Sequence, residues 1–158
     1  MKVKLYTDGA CRGNPGVGGW GVLIQYANSE TELLGYEPKT TNNRMELLAA
    51  IHGIQSVETG FKEMTVYTDS QYVCNGITKW VKKWKENGWK TASGKPVKNC
   101  DLWLTLDQLC AMHYIEWKWV RGHSGDIGNE RADELANLAI DRFFGSDSEK
   151  DQGEGCDR

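Results

Sequence analysis

Two stretches decide how this chain folds: Val3-Lys4-Leu5-Tyr6-Thr7-Asp8-Gly9 and Met64-Thr65-Val66-Tyr67-Thr68-Asp69-Ser70. Each alternates as a strand does, with Val3, Leu5 and Thr7 on one face and Met64, Val66 and Thr68 on the corresponding face of the other. Each ends on the same word, Tyr-Thr-Asp, which puts Asp8 and Asp69 on the face of the tyrosine two residues earlier. If the strands are parallel neighbours, a spacing of roughly 4.8 Å brings the two carboxylates almost into contact. Anions that close oppose each other's ionisation unless a cation lies between them. An Asp before Gly or Ser at a strand end is also a common turn former. A metal site therefore needs further carboxylates.

Working outward, Gly9 to Gly19 reads as a glycine-rich turn, followed by strands over 18–26 and 31–36 around Ala27-Asn28-Ser29. Thr40-Thr41-Asn42-Asn43 offers cap chemistry for a helix to about Thr59, with Gly60 as its stop. After the strand 64–68, a short helix over 70–75 is expected to stop at Gly76. A lysine- and tryptophan-rich helix follows over 78–87, then a loop over 89–98 and a helix from Asn99 to about Met112. A fifth strand, 115–120, and a last helix, about 129–144, complete the order β-β-β-α-β-α-α-α-β-α. Short turns between the first three strands imply an antiparallel meander, and helical crossovers let the later two join in parallel. The expectation is an α/β fold: a mixed five-stranded sheet flanked by helices, over residues 1–144. Residues 145–158 carry five acids and two bases and read as a disordered acidic tail.

The 158 residues suit one domain with a proper core, and 39% apolar with 26% charged residues suits a soluble protein. No apolar run approaches the ~20 residues of a membrane span, and no secretory leader is expected. The five cysteines (Cys11, Cys74, Cys100, Cys110, Cys156) form no CxxC pair, so reduced thiols in the cytoplasm are expected and zinc is not. The net charge of −3 conceals an asymmetry. Residues 78–98 hold seven lysines against Glu86 alone, a local +6 that leaves −9 for the rest. A basic patch on an acidic chain points to a polyanionic partner.

Two more acids complete a set. Glu46 shares a helical face with Ala49, Ala50 and Gly53, small residues suited to lying against a sheet. Asp133 heads the spacing Ala136, Ile140, Phe143 in the last helix. An acid in a first turn favours the helix dipole, yet burying one without a partner costs far more. Four carboxylates, Asp8, Glu46, Asp69 and Asp133, gathered at one rim would suit hard divalent cations, magnesium or manganese. Two such ions suit phosphodiester hydrolysis. His123, in Arg121-Gly122-His123-Ser124-Gly125, precedes Asp133 on a glycine-flanked loop and suits a proton-shuttling or product-release role.

Trp80 and Trp84 stand one helical turn apart among Lys79, Lys82, Lys83 and Lys85, with Trp89 beyond. Lysines interleaved with aromatics suit a nucleic-acid surface, although Trp84 reads equally as core. Trp20, Trp103, Trp117 and Trp119 read as core.

These segments, YTDGACRGNPGVGGWG, TTNNRMELLAA, VYTDSQYV, KWVKKWKENGWK, KPVKNCDLW and WVRGHSGDIGNERADELA, together resemble type 1 ribonuclease H, the bacterial ribonuclease HI group in particular. The resemblance implies a ribonuclease H-like fold with three antiparallel strands and two parallel ones. It also implies magnesium-dependent, two-metal cleavage of the RNA strand of RNA–DNA hybrids without sequence specificity. The metal-binding acids would be Asp8, Glu46, Asp69 and Asp133, and the mobile-loop histidine His123. Cys11, Asn14, Asn42, Asn43, Ser70 and Gln71 would lie along the hybrid's minor groove, where 2′-hydroxyls distinguish RNA. Thr41 and Asn99 would form a DNA-phosphate pocket. Lys39 stands where relatives often carry arginine and offers a point charge in place of a bidentate fork. The lysine–tryptophan helix would be a basic protrusion that binds hybrid without a helper domain. A monomer with no obligate partner is expected. The alternatives are a hybrid-binding protein that does not cut, against which the four clustered acids argue, and a superfamily nuclease or strand-transfer enzyme acting on DNA.

Overall fold

The computed structural model describes residues 2–57 and 63–145. The expected strands and helices are all present: β1 (Lys2–Arg12), β2 (Gly16–Gln25), β3 (Glu30–Thr40), α1 (Asn42–Ser56), β4 (Glu63–Thr68), α2 (Gln71–Asn75), α3 (Val81–Glu86), α4 (Cys100–Met112), β5 (Tyr114–Trp119) and α5 (Ile127–Phe144). One sheet holds the strands in the order β3-β2-β1-β4-β5. β1, β2 and β3 form the antiparallel meander, while β4 and β5 add in parallel.

Side-chain alternation assigns the faces. Val3, Leu5, Val22, Ile24, Met64 and Val66 are fully buried and share a core with α1, whose Met45, Leu47, Ala50 and Ile54 are equally enclosed. Gly53 of α1 leaves a gap that Leu5 and Val22 fill; a β-carbon there would lie 3.0 Å from Val22. The small residues around Glu46 therefore do what their size implied. On the opposite face β2 presents Gly19 and Gly21 to α5, and a β-carbon on Gly21 would lie 2.6 Å from Leu135 Cβ. α5 answers with Ala132, Ala136 and Ala139, all fully buried, so helix and strand meet backbone to backbone.

Several boundaries differ from the sequence reading. β1 and β2 run deep into the glycine-rich segment, leaving only Gly13 to Pro15 as the turn, because Gly18, Gly19 and Gly21 serve close packing. β3 likewise extends to Thr40. Gly76 does not stop a helix: a π-helical turn over Gly76–Trp80 joins α2 to α3. The glycine is there for room, since a β-carbon would sit 2.6 Å from Cζ2 of the fully buried Trp103. The buried stripe of α5 runs through Ala132, Leu135, Ala136, Ala139 and Ile140, whereas Phe143 is 47% exposed and stacks on Tyr36 at 4.1 Å. Among the tryptophans read as core, Trp20 and Trp103 are buried and Trp117 is half-buried. Trp119 is 44% exposed, since it ends β5 at the sheet edge. Thr59, Gly60, the acidic tail beyond Gly145 and Cys156 lie outside the described residues. Among the described residues no helix is long and apolar enough to cross a membrane.

Candidate active site

The parallel register of β1 and β4 pairs Tyr6 with Tyr67 and Thr7 with Thr68, so their ladder ends just before the two carboxylates. Asp8 is not at a strand end but stays within β1 opposite Gly21 of β2, while Asp69 leaves β4. Thr68 Oγ1 accepts from the Ser70 amide at 3.0 Å and Ser70 Oγ from the Val73 amide at 3.1 Å, which turns the chain from β4 into α2 immediately after Asp69. Glu46 comes from the second turn of α1 against Gly9, whose hypothetical β-carbon would lie 2.6 Å from the Glu46 amide nitrogen. Oxygen atoms of Asp8, Glu46 and Asp69 lie within 4.8 Å of one another. Asp133, from the second turn of α5, approaches the same cluster closely enough to hydrogen-bond Asp8.

Electrostatically this cluster opposes its own charge. Asp8 is 4% exposed and its carboxyl pKa is pushed up to about 11, first by burial, then by Glu46 and Asp69. Glu46 is likewise raised well above the usual range by burial and by Asp69, partly offset by hydrogen bonds from Asp8 and the Gly9 backbone. Glu46 Oε1 is buried with no hydrogen-bond partner. Clustered, desolvated carboxylates with an orphaned oxygen fit a hard divalent cation, which would supply both the missing charge and the missing partner.

The loop from β5 to α5 closes over one side. Gly122 packs on Asp69, where a β-carbon would lie 2.8 Å from Oδ2. His123, the next residue, is exposed with φ +57°, and Gly125 donates its amide to Glu130 at 3.1 Å. Trp119, read from sequence as core, instead donates its indole N–H to the Asp69 carbonyl at 3.0 Å. Its signal was its position, in register with Thr68, the residue before Asp69.

The residues expected along a groove occupy two connected regions. Asn14, in the β1–β2 turn, accepts the Asn42 amide at 3.2 Å, tying that turn to the start of α1. Asn43 is exposed and Asn42 half-buried. The Cys11 thiol donates to the carbonyls of Gly13 (2.8 Å) and Thr40 (3.4 Å), and burial pushes its pKa up. Thr41 caps α1 through the Arg44 amide, 3.2 Å away. Arg44 also reaches Glu37 at 2.9 Å and Asp101 at 3.8 Å, drawing the start of α4 toward that of α1. Asn99 there adopts φ +57° and donates to Tyr72 Oη at 3.2 Å. On the other side of Asp69, Ser70 is a buried cap of α2 and Gln71 is exposed.

In the basic segment Lys79, Lys82 and Lys83 are exposed. Lys85 is exposed as well but pairs with Asp107 of α4 at 3.2 Å, so part of its charge is already answered. Trp84 is half-buried and belongs to an aromatic cluster: its ring centroid lies 5.4 Å from Trp103, 6.0 Å from Trp80 and 6.2 Å from Trp89. Trp80 is 37% exposed and, with Trp84, Lys83, Asn87 and Lys90, lines a cleft of about 230 Å³. Trp84 thus faces inward while Trp80 lies at the surface.

Comparison with known proteins agrees with this architecture. The RNase H family profile matches residues 1–141. Ribonuclease HI of Pseudomonas aeruginosa is 58% identical over 139 residues, 88% of this chain and 93% of that protein. Ribonuclease H of Hydrogenovibrio crunogenus is 57% identical over 145 residues, 92% of this chain and 99% of that one. Among solved structures, LC9-RNase H1, a type 1 RNase H with the type 2 active-site motif, superposes with a TM-score of 0.80 at 38% identity, covering 87% of this chain and 71% of that chain. LC11-RNase H1, solved in complex with RNA/DNA hybrid, gives 0.66 at 25% identity, covering 89% and 97%. With the fold, the carboxylate cluster and these similarities in agreement, the chain belongs to the RNase H family, as an endoribonuclease of the bacterial HI kind.

Proposed function

We propose that this protein hydrolyses the RNA strand of RNA–DNA hybrids at internal positions without sequence specificity, leaving 5′-phosphate and 3′-hydroxyl ends. The observation that carries the reading is the Asp8–Glu46–Asp69 cluster, in which Asp8 is driven to about 11 and Glu46 keeps an oxygen without a partner. Such a cluster is costly in a protein that only binds a polyanion, and becomes favourable once cations occupy it. The four acids Asp8, Glu46, Asp69 and Asp133 would hold two magnesium ions, with manganese as a substitute. Bound ions of this kind acidify water and stabilise a departing oxygen.

The chain's own groups do the rest. Water adds to phosphorus and the bond to the 3′ oxygen breaks. Asp8, within β1, and Asp69, just past the end of β4, hold the reacting phosphate's surroundings in place, and Glu46 also supports a neighbouring 2′-hydroxyl. His123, exposed on its loop, moves a proton to or from solvent as product leaves. Cys11, Asn14, Asn42, Asn43, Ser70 and Gln71 line the minor-groove side, where backbone and side-chain donors meet the 2′-hydroxyls that distinguish RNA. Thr41 and Asn99 receive a DNA phosphate. Lys79, Lys82, Lys83 and Lys85, with Trp80, Trp84 and Trp89, carry the basic protrusion. The similarity to LC11-RNase H1, solved on a hybrid, supports this substrate. Residues 1–144 form the catalytic domain, and the protein works as a cytoplasmic monomer without an obligate partner.

The test uses a hybrid labelled on each strand in turn, incubated with magnesium or chelator, beside Asp69→Asn. Cuts confined to the RNA strand, requiring magnesium and absent in the variant, are expected. Binding without cuts, or cuts in the DNA strand, would overturn the proposal.

A further inference from the structure

Asp69 lies one residue beyond the end of β4, outside the ladder that fixes Thr68. Three consecutive features of the β5 end nevertheless hold it. The Trp119 indole N–H donates to the Asp69 carbonyl at 3.0 Å. The Val120 amide donates to the Thr68 carbonyl at 2.9 Å. Gly122 then lies against the Asp69 carboxylate itself, where a β-carbon would be 2.8 Å from Oδ2 and would push the carboxylate aside. The backbone before the aspartate, its own backbone and its side chain are thus each met by the end of β5 or the loop that follows it.

We propose that Trp119 is a positioning residue: by fixing the Asp69 peptide plane, its indole N–H sets where the Asp69 carboxylate stands and thereby the divalent-cation affinity of the cluster. This rests on the reading that the cluster holds cations. The argument is geometric. Three carboxylates with oxygens within 4.8 Å leave little tolerance for displacement of one, and the Asp69 carbonyl carbon shares its Cα with the side chain, so a shift of that carbonyl that carries the Cα along moves the carboxylate too. The 44% exposure of Trp119 also says that its ring contributes modestly to the core. A tryptophan kept half in water at a sheet edge is explained by its hydrogen bond better than by packing. Partners of metal ligands commonly change affinity about 10–100-fold when removed, and a backbone-directed one belongs at the lower end.

The experiment compares Trp119→Phe and a protein with benzothienylalanine at position 119, which keeps the ring shape but replaces N–H with sulfur. Calorimetric titration of the hybrid-free protein with magnesium or manganese is read alongside the thermal midpoint in chelator and hybrid affinity in chelator. Both replacements are expected to weaken cation binding about tenfold. The benzothienyl protein should keep its melting temperature, and both should bind hybrid within about twofold of the parent. Asp69→Asn provides the reference. If it abolishes cation binding while the Trp119 replacements leave it unchanged, the positioning role is overturned and the metal reading stands. If Asp69→Asn binds cations as tightly as the parent, the metal reading fails and the inference fails with it. A fall in melting temperature without a fall in cation affinity would assign Trp119 a packing role and overturn the proposal.

Discussion

The rings of Tyr6 and Tyr67 stack with centroids 4.7 Å apart and planes 11° from parallel, two residues before the paired carboxylates. That stack locks the parallel register of β1 and β4 at the end where register matters most. A slip of one residue would send Asp8 to the opposite face of the sheet. Gly128, in the first turn of α5, packs against the Tyr6 ring, where a β-carbon would lie 2.5 Å from Cδ2. The same tyrosine thereby also seats the helix that carries Asp133.

Removing one charge from the cluster should stabilise the cation-free protein. Asp8 rises from its ordinary 3.8 to about 11 on folding. A raised carboxyl contributes stability that is complete below about pH 4 and is lost as pH climbs toward 11, because the unfolded chain releases its proton first. In chelator, stability should therefore fall across the neutral range. Asp8→Asn should flatten that decline and gain roughly 1–3 kcal/mol near pH 7. Thermal melts at several pH values, with and without magnesium, check this. Magnesium should raise the melting temperature of the parent, and the variant should lose that rise. A steeper pH dependence in the variant would contradict the assignment.

Lys82→Ala combined with Lys83→Ala should weaken hybrid binding and flatten its dependence on salt. Each phosphate contact contributes about 0.9 to the slope of log K against log salt, so the double variant should lose up to about 1.8. Lys85→Ala should do less, since Lys85 already pairs with Asp107 at 3.2 Å. Titrations at several salt concentrations, in chelator, separate the three. Equal losses from Lys85 and from the Lys82 and Lys83 pair would mean that the protrusion is not read through its outer face.

His123→Asn should lower kcat about 100-fold or more with little change in hybrid affinity, since it removes the proton carrier and keeps a residue that tolerates φ +57°. His123→Ala would add backbone strain and is the poorer probe. Steady-state cleavage beside binding in chelator distinguishes the outcomes. A change confined to KM would place His123 in substrate binding.

How far the sequence could be read depended on what each residue was solving. The two alternating runs ending in the doubled Tyr-Thr-Asp word made Asp8 and Asp69 a pair only if the strands were parallel neighbours, and the β1–β4 register makes them so. Glu46 was visible because the small residues beside it, Ala49, Ala50 and Gly53, are buried as a face. Asp133 reaches Asp8, and of the spacing read with it Ala136 and Ile140 are buried, but the buried stripe also takes in Ala132, Leu135 and Ala139 and leaves Phe143 at the surface. Trp119 was misassigned because alternation says which residues share a face but not whether another element covers it. At an edge strand the cover ends, and only the fold brings its indole to Asp69. The hydroxyls of Thr41 and Ser70 show a related limit: both already serve as helix caps, which the sequence allows but does not rank against substrate contact.

Gly76 is the position where a local rule and a distant neighbour conflict most directly. As a glycine after a short helix it resembles a stop, yet its φ is −60° and the helical path continues through it. No left-handed conformation is needed. What is needed is space for Trp103, fully buried and bonded through its indole N–H to Tyr72 Oη at 3.1 Å. Trp103 in turn packs 5.4 Å from Trp84, so the ring carries the basic protrusion on the core. Gly76→Ala improves helix propensity by about 1 kcal/mol but drives a methyl group into that ring, and overpacking typically costs about 1–3 kcal/mol. The collision should win because Trp103 is closed in on all sides. Denaturant melts should show a net loss, and hybrid binding should weaken with it as the protrusion shifts, while magnesium binding to the carboxylate cluster stays unchanged. A stabilised Gly76→Ala protein would mean that the helix stop, and not the tryptophan, explains this glycine.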